Sequence, residues 1–166
     1  MKASIAQCRF LLTVLGESTA GLDDSHRALL PQAGAKTAGW ILGHLSVTGD
    51  FARKLCGRPT LCPKEWRALF NPGSTPSTNS SDYPPMADLI AKVREVYADL
   101  CDAAMTADPA VLAAPNPFVP ARAAFPASGD FIPYLLAGHF AYHTGQLVGW
   151  RAAAGLGRIR DVVASA

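Results

Sequence analysis

Of the four histidines in the chain, His26, His44, His139 and His143, three stand where chemistry could use them. His139 and His143 are four residues apart, a separation that puts two side chains on one helix face about a turn apart. Two imidazoles so placed can both reach one ion at about 2.0–2.1 Å if that ion is zinc. His44 falls on the apolar stripe of another helical stretch, between Ile41 and Thr48. Bundles build metal sites from ligands on facing helices. Three clustered imidazoles with no ion would leave several ring nitrogens without partners, at about 1–3 kcal/mol for each unsatisfied group. On spacing alone, ligation and ordinary core packing both stay open. His26 follows Asp23-Asp24-Ser25 in a polar stretch and reads as a solvated loop residue rather than a fourth ligand.

The neighbours of these histidines narrow the chemistry. Gln146 lies three residues beyond His143 on the same face, where it could bond a ligand histidine or a bound water, or satisfy itself within the bundle. Tyr142 lies beside the seam and is expected to pack, with its hydroxyl as a possible donor to substrate. Asp50 lies off the His44 stripe, so a solvated or ion-paired role is expected. Phe140 follows His139, so the general-base glutamate of a His-Glu-x-x-His peptidase is missing, and no carboxylate lies between the two histidines. That argues against self-contained peptide hydrolysis. Ser46, Thr48 and Thr144 form no recognisable nucleophile–base set, and no catalytic residue is assigned. Trp40 and Trp150 read as core. Arg151, Arg158 and Arg160 form a basic cluster that would complement a helix C-terminus. Cys56 and Cys62 could lie near each other, but nothing beside them guarantees a depressed thiol pKa. With no Cys-x-x-Cys pair, the four cysteines are expected to be reduced thiols.

Four helical stretches must position these residues. The first, 4–20, carries Ile5, Cys8, Leu12 and Leu15 at helical spacing. The second begins at Thr37 as N-cap and ends before Gly57, with the stripe Ile41, His44, Thr48, Phe51 and Leu55. The third follows Pro84-Pro85, with Met86, Leu89, Val93, Val96, Tyr97 and Leu100. The fourth, 130–154, carries Ile132, Leu136, His139, His143, Gln146 and Trp150. Two long proline-rich connections separate them, 57–83 (with one or two helical turns over 64–70) and 108–129. The second is expected either to wall the metal site with Phe118, Arg122 and Phe125, or merely to return the chain across the bundle. No stretch alternates as a strand would, so the expected fold is an all-α four-helix bundle formed by residues 1–166 as one domain.

Composition agrees. At 166 residues and 49% hydrophobic content the chain can bury a good core, which excludes global disorder. A net charge of +2 gives no footprint for nucleic acid, and no apolar run approaches the roughly 20 residues of a membrane span. Lys2 precedes an apolar stretch, but Arg9 interrupts it and Glu17 follows, so a secretion signal is not expected and the cytoplasm is.

Two motifs add a resemblance. Gly39-Trp40-Ile41-Leu42-Gly43-His44-Leu45, with Phe51 and Leu55-Cys56-Gly57, and the run His139-Phe140-Ala141-Tyr142-His143-Thr144-Gly145-Gln146-Leu147 resemble the DinB-like (DinB/YfiT-type) family. Phe70-Asn71-Pro72-Gly73-Ser74 and Tyr83-Pro84 are similar to its connecting segment. The resemblance implies an up-down-down-up bundle with a divalent metal held by three histidines, which map onto His44, His139 and His143. Imidazole suits several transition metals; zinc or nickel is expected first, with iron or manganese as alternatives. The resemblance also implies a homodimer and a small-molecule substrate. Characterised relatives use low-molecular-weight thiols such as mycothiol or bacillithiol, so a metal-dependent thiol S-transferase is the leading expectation. A metal-dependent hydrolase comes second, and a non-catalytic metal-binding or stress-related dimeric module third.

Overall fold

The computed structural model describes residues 1–157; Arg158 and Arg160 lie outside the described residues. Helix α2 (Ala38–Leu55) organises the rest, because every residue from Ala38 to Asp50 is buried. The expected single stripe is therefore too narrow. Phe51, placed on that stripe, is only partly buried, whereas Trp40, Leu42, Leu45 and Val47 on the other faces are buried. A helix covered on every face is a central one, and α2 is covered by α4 (Met86–Thr106), by α7 (Phe140–Ala153) and by the short α3 (Trp66–Phe70). Its start is capped as expected, with Thr37 Oγ1 accepting from the Trp40 N–H at 3.2 Å.

Residue pairs fix the directions. Along α1 (Lys2–Thr19), Arg9 meets Asp102 while Gly16 lies against Arg94, so α1 and α4 run antiparallel. Gly39 lies against Tyr83, Gly49 against Val96 and Tyr97, and Arg53 against Asp99, so α2 and α4 run parallel. Ala6 and Phe10 share a groove with Ala137 and Ala141, and Arg151 reaches the carbonyls of Ser18 and Ala20, so α1 and α7 run parallel. The four long helices thus follow an up-down-down-up order in an all-α bundle. Arg151 stands in the last turn of α7, as expected, and also donates to the carbonyls at the end of α1. No described helix is long and apolar enough to cross a membrane.

The fourth helical stretch is not continuous. It consists of α6 (Ser128–Pro133), a π-helical turn (Tyr134–His139) and then α7. Pro133 has no N–H to give, so the α-helical ladder is interrupted immediately before the wide turn. The connection over 108–129 is not structureless either. It holds α5 (Pro109–Ala113) and closes on the buried Asn116, whose side chain donates to the Phe125 carbonyl at 3.0 Å and accepts from the Phe118 N–H at 2.9 Å. Arg122 donates to the Asn116 carbonyl at 2.9 Å, fastening the loop to itself.

Candidate metal centre

The three histidines converge, His44 from α2, His139 from the end of the π turn and His143 from α7. Their nearest ring nitrogens all lie within 4.8 Å of one another, with ring centroids 4.5 Å apart for His139–His143, 4.6 Å for His44–His143 and 5.2 Å for His44–His139. His26 stands apart. Its Nδ1 accepts from the Asp23 N–H at 3.1 Å and its ring edge meets Trp150, so it caps a local turn while partly buried.

The position of His44 depends on a glycine one residue earlier. A side chain at Gly43 would fall inside the Phe70 ring, so only glycine lets α3 lie this close to α2. That approach brings the Phe70 carbonyl to 2.7 Å from His44 Nδ1. A carbonyl oxygen can only accept, so Nδ1 carries the hydrogen and Nε2 of the neutral ring presents its lone pair. His143 is held in the same way, its Nδ1 lying 2.8 Å from Gln146 Oε1. Of the roles left open for Gln146, the structure shows a bond to His143, and it too leaves Nε2 free. On the other side of His44, Trp40 stacks at 4.6 Å with planes 8° apart, its indole N–H held by Ser74 Oγ at 2.9 Å. Trp40 is core, as its spacing indicates, and it also braces a site residue.

The donor set fits a metal ion. His44 Nε2 and His139 Nε2 lie 3.3 Å apart; two nitrogens on one tetrahedral zinc at about 2.0–2.1 Å stand about 3.3–3.4 Å apart. His139 Nδ1 is buried without a hydrogen-bond partner, and the three rings together hold more lone pairs than the protein supplies hydrogens for. Burial, together with the proximity of the other rings, pushes His139 down to about 3 and His143 down to about 4, and burial holds His44 below the ordinary imidazole range. All three are therefore neutral at physiological pH, as ligation requires. Among the described residues no fourth His, Cys, Asp or Glu joins the group.

Other expectations fall differently. Tyr142 touches the His143 ring edge-on at 4.9 Å but is 64% exposed, so it is not a packing residue. Tyr134, in the π turn, is 40% exposed and meets His139 edge-on at 6.1 Å; the sequence reading did not single it out. Phe125 stacks on Tyr134 at 5.2 Å and so touches the site only through it, while Phe118 packs between Phe51 and Phe131. Asp50 is ion-paired but not solvated: buried, it accepts from Arg53 Nη1 and from the Leu61 and Cys62 amides. The Cys56 and Cys62 thiols are pushed up to about 11 and about 12, chiefly by burial, so neither is an activated thiolate.

A sequence profile of the DinB superfamily matches residues 13–147, most of the chain and all three histidines. The chain belongs to the DinB superfamily. No curated protein and no solved structure matches it.

Proposed function

We propose that the protein is a metal-dependent enzyme in which His44, His139 and His143 hold one divalent transition-metal ion, zinc or nickel before iron or manganese, and which transfers a group to a low-molecular-weight thiol. The carrying observation is the set of three neutral imidazoles, two with Nδ1 tied to an acceptor, whose free nitrogens face one another. With only three protein donors, a bound ion would keep open positions and supply Lewis acidity and charge to lower the pKa of a group presented to it. The residues do the rest. Phe70 and Gln146 fix the rotation of two rings, Trp40 shields one face of His44, and the exposed Tyr134 and Tyr142 flank the remaining side.

The choice of a thiol over water follows from what surrounds the histidines. Among the described residues the charged or titratable groups acting on them are one another and Lys36, and no carboxylate there stands ready as general base for hydrolysis. A thiol with an ordinary pKa of about 8.5 needs only a modest downward shift to be ionised near neutrality, whereas water starts from about 15.7. The family resemblance points the same way. We place the protein in the cytoplasm as a homodimer. The groove of about 530 Å³ between α1 and the π turn, lined by Phe10, Leu11, Ala137 and Ala141, supports association.

Elemental analysis of the purified protein after metal loading tests the site. One ion per chain is expected, with a sharp loss in His139→Ala; unchanged stoichiometry in all three single alanine variants overturns the assignment. Activity is tested by following conjugation of small thiols to an electrophilic aryl chloride. The C–S bond forms, the C–Cl bond breaks, chloride leaves and the thiol proton passes to solvent. Conjugation at the same rate in wild type and His139→Ala overturns the transferase reading.

A further inference from the structure

The charge around the three histidines does not balance. The neutral rings contribute no negative charge, and a divalent ion among them would add two positive charges. A further cation stands beside them: Lys36, whose positive charge adds to the burial that lowers the pKa of His44 and His143. Its ammonium lies 4.5 Å from the centroid of the Trp40 ring, the same ring that stacks on His44. Among the described residues Lys36 has no ion-pair partner and no side-chain hydrogen bond. Arg53 shows what this chain does with a cation it uses structurally: it surrounds it with Asp50, Asp99 and the Pro59 carbonyl. Lys36 has an aromatic face to rest on and, among the described residues, no anion.

We propose that Lys36 is a specificity-determining residue that grips an acidic group on the substrate while another group of the same molecule meets the histidine site. The proposal rests on the metal reading above and narrows its substrate to an anionic molecule carrying a carboxylate or similar group. Physically, a cluster of uncompensated positive charge flanked by apolar rings raises the local concentration of anions and strengthens each contact made there. An ammonium meeting a carboxylate makes a charge-assisted bond. The indole platform holds the Lys36 stem near the site without neutralising it. Trp40 is itself fixed, through its N–H to Ser74 Oγ, so the cation is offered from a rigid wall. Tyr142 and Tyr134 leave an exposed side from which a ligand can enter.

The test uses full-length protein loaded with cobalt(II), whose visible absorption reports changes at the ion. Two probe pairs vary the carboxylate: 3-mercaptopropionate against 2-mercaptoethanol replaces a hydroxyl by a carboxylate, and malonate against acetate adds one. Wild-type protein should bind the member with the additional carboxylate in at least one pair about tenfold more tightly. Lys36→Met should bring that ratio to within about twofold, and Lys36→Arg should keep most of it. Cobalt affinity should be unchanged or higher in Lys36→Met, because a repelling cation is gone; a lower affinity, or loss of cooperative unfolding, makes Lys36 structural and overturns the proposal. An equal preference in wild type and Lys36→Met, or none in wild type, also overturns it. Silence to both thiols with a Lys36-dependent malonate preference refutes the thiol reading and supports Lys36. Failure to take up cobalt removes the metal reading and the proposal with it.

Discussion

Helix α2 carries two buried polar clusters barely two turns apart, and they are built on opposite plans. Around Asp50 and Arg53 every strong group is answered. Arg53 donates to Asp50 at 2.8 Å, to Asp99 at 2.6 Å and to the Pro59 carbonyl at 2.8 Å, while Asp50 also accepts from two loop amides. Around His44 the Nδ1 atoms of His44 and His143 are tied down, that of His139 has no partner, and the inner nitrogens are left facing one another. The first arrangement closes on itself and clamps the connection after α2. The second leaves hydrogen-bonding capacity unanswered inside the protein. Burial of polar groups alone does not mark a functional site; burial with unanswered capacity does.

That contrast can be broken from the structural side first. Arg53→Ala leaves Asp50 buried without its ion partner and should destabilise the protein by about 3–5 kcal/mol, read as a lowered denaturant midpoint. The folded fraction should still bind one metal per chain. A loss of metal stoichiometry in folded Arg53→Ala protein would show that the two clusters are one unit.

Acid should act on the histidine cluster. Its rings titrate near 6.5 in the unfolded chain but at about 3 for His139, about 4 for His143, and below the ordinary value for His44 in the folded one. Between those limits the unfolded state binds more protons. The stability of metal-free protein should therefore be full above about pH 6.5 and fall progressively toward pH 4 to 3. Replacing His139 by alanine should make the decline shallower, as followed by thermal melts across pH. A slope unaffected by that change assigns the acid response to other groups.

The bond between Gln146 and His143 gives a smaller effect. Gln146→Leu removes the acceptor on His143 Nδ1 and should lower metal affinity about 10–100-fold with little change in fold, measured by competition with a chromogenic chelator. Unchanged affinity would mean that His143 is oriented by packing alone. The smallest effect is expected at the surface. Phe10 is 45% exposed on the groove between α1 and the π turn, and Phe10→Lys should convert a dimer to a monomer in light scattering without altering metal content. A wild-type monomer across micromolar concentrations disposes of the dimer altogether.

How much was legible in the sequence follows from the range of each interaction. The helices show because their stripes repeat locally, and His139 with His143 shows because four residues on one helix fix a face whatever surrounds it. Gln146 was legible for the same reason, and the Thr37 cap because its bond spans only three residues. His44 could be placed on a stripe, and family motifs then joined it to the other two. By itself the sequence determined an all-α chain, its helix phases and three histidines able to share an ion.

Tertiary structure decided what local periodicity cannot encode. The bond from His44 to Phe70 spans 26 residues and needs the space left at Gly43. The Arg53–Asp99 pair spans 46, so Asp50 looked like a surface residue until α4 and the following loop closed over it. The π turn hinges on Pro133 acting inside an otherwise good helical pattern, and burial of α2 on all faces depends on which neighbours the bundle order supplies. Whether Lys36 is neutralised could only be settled in three dimensions, because charge balance is a property of distance through space, and the chain sets that distance only when it folds.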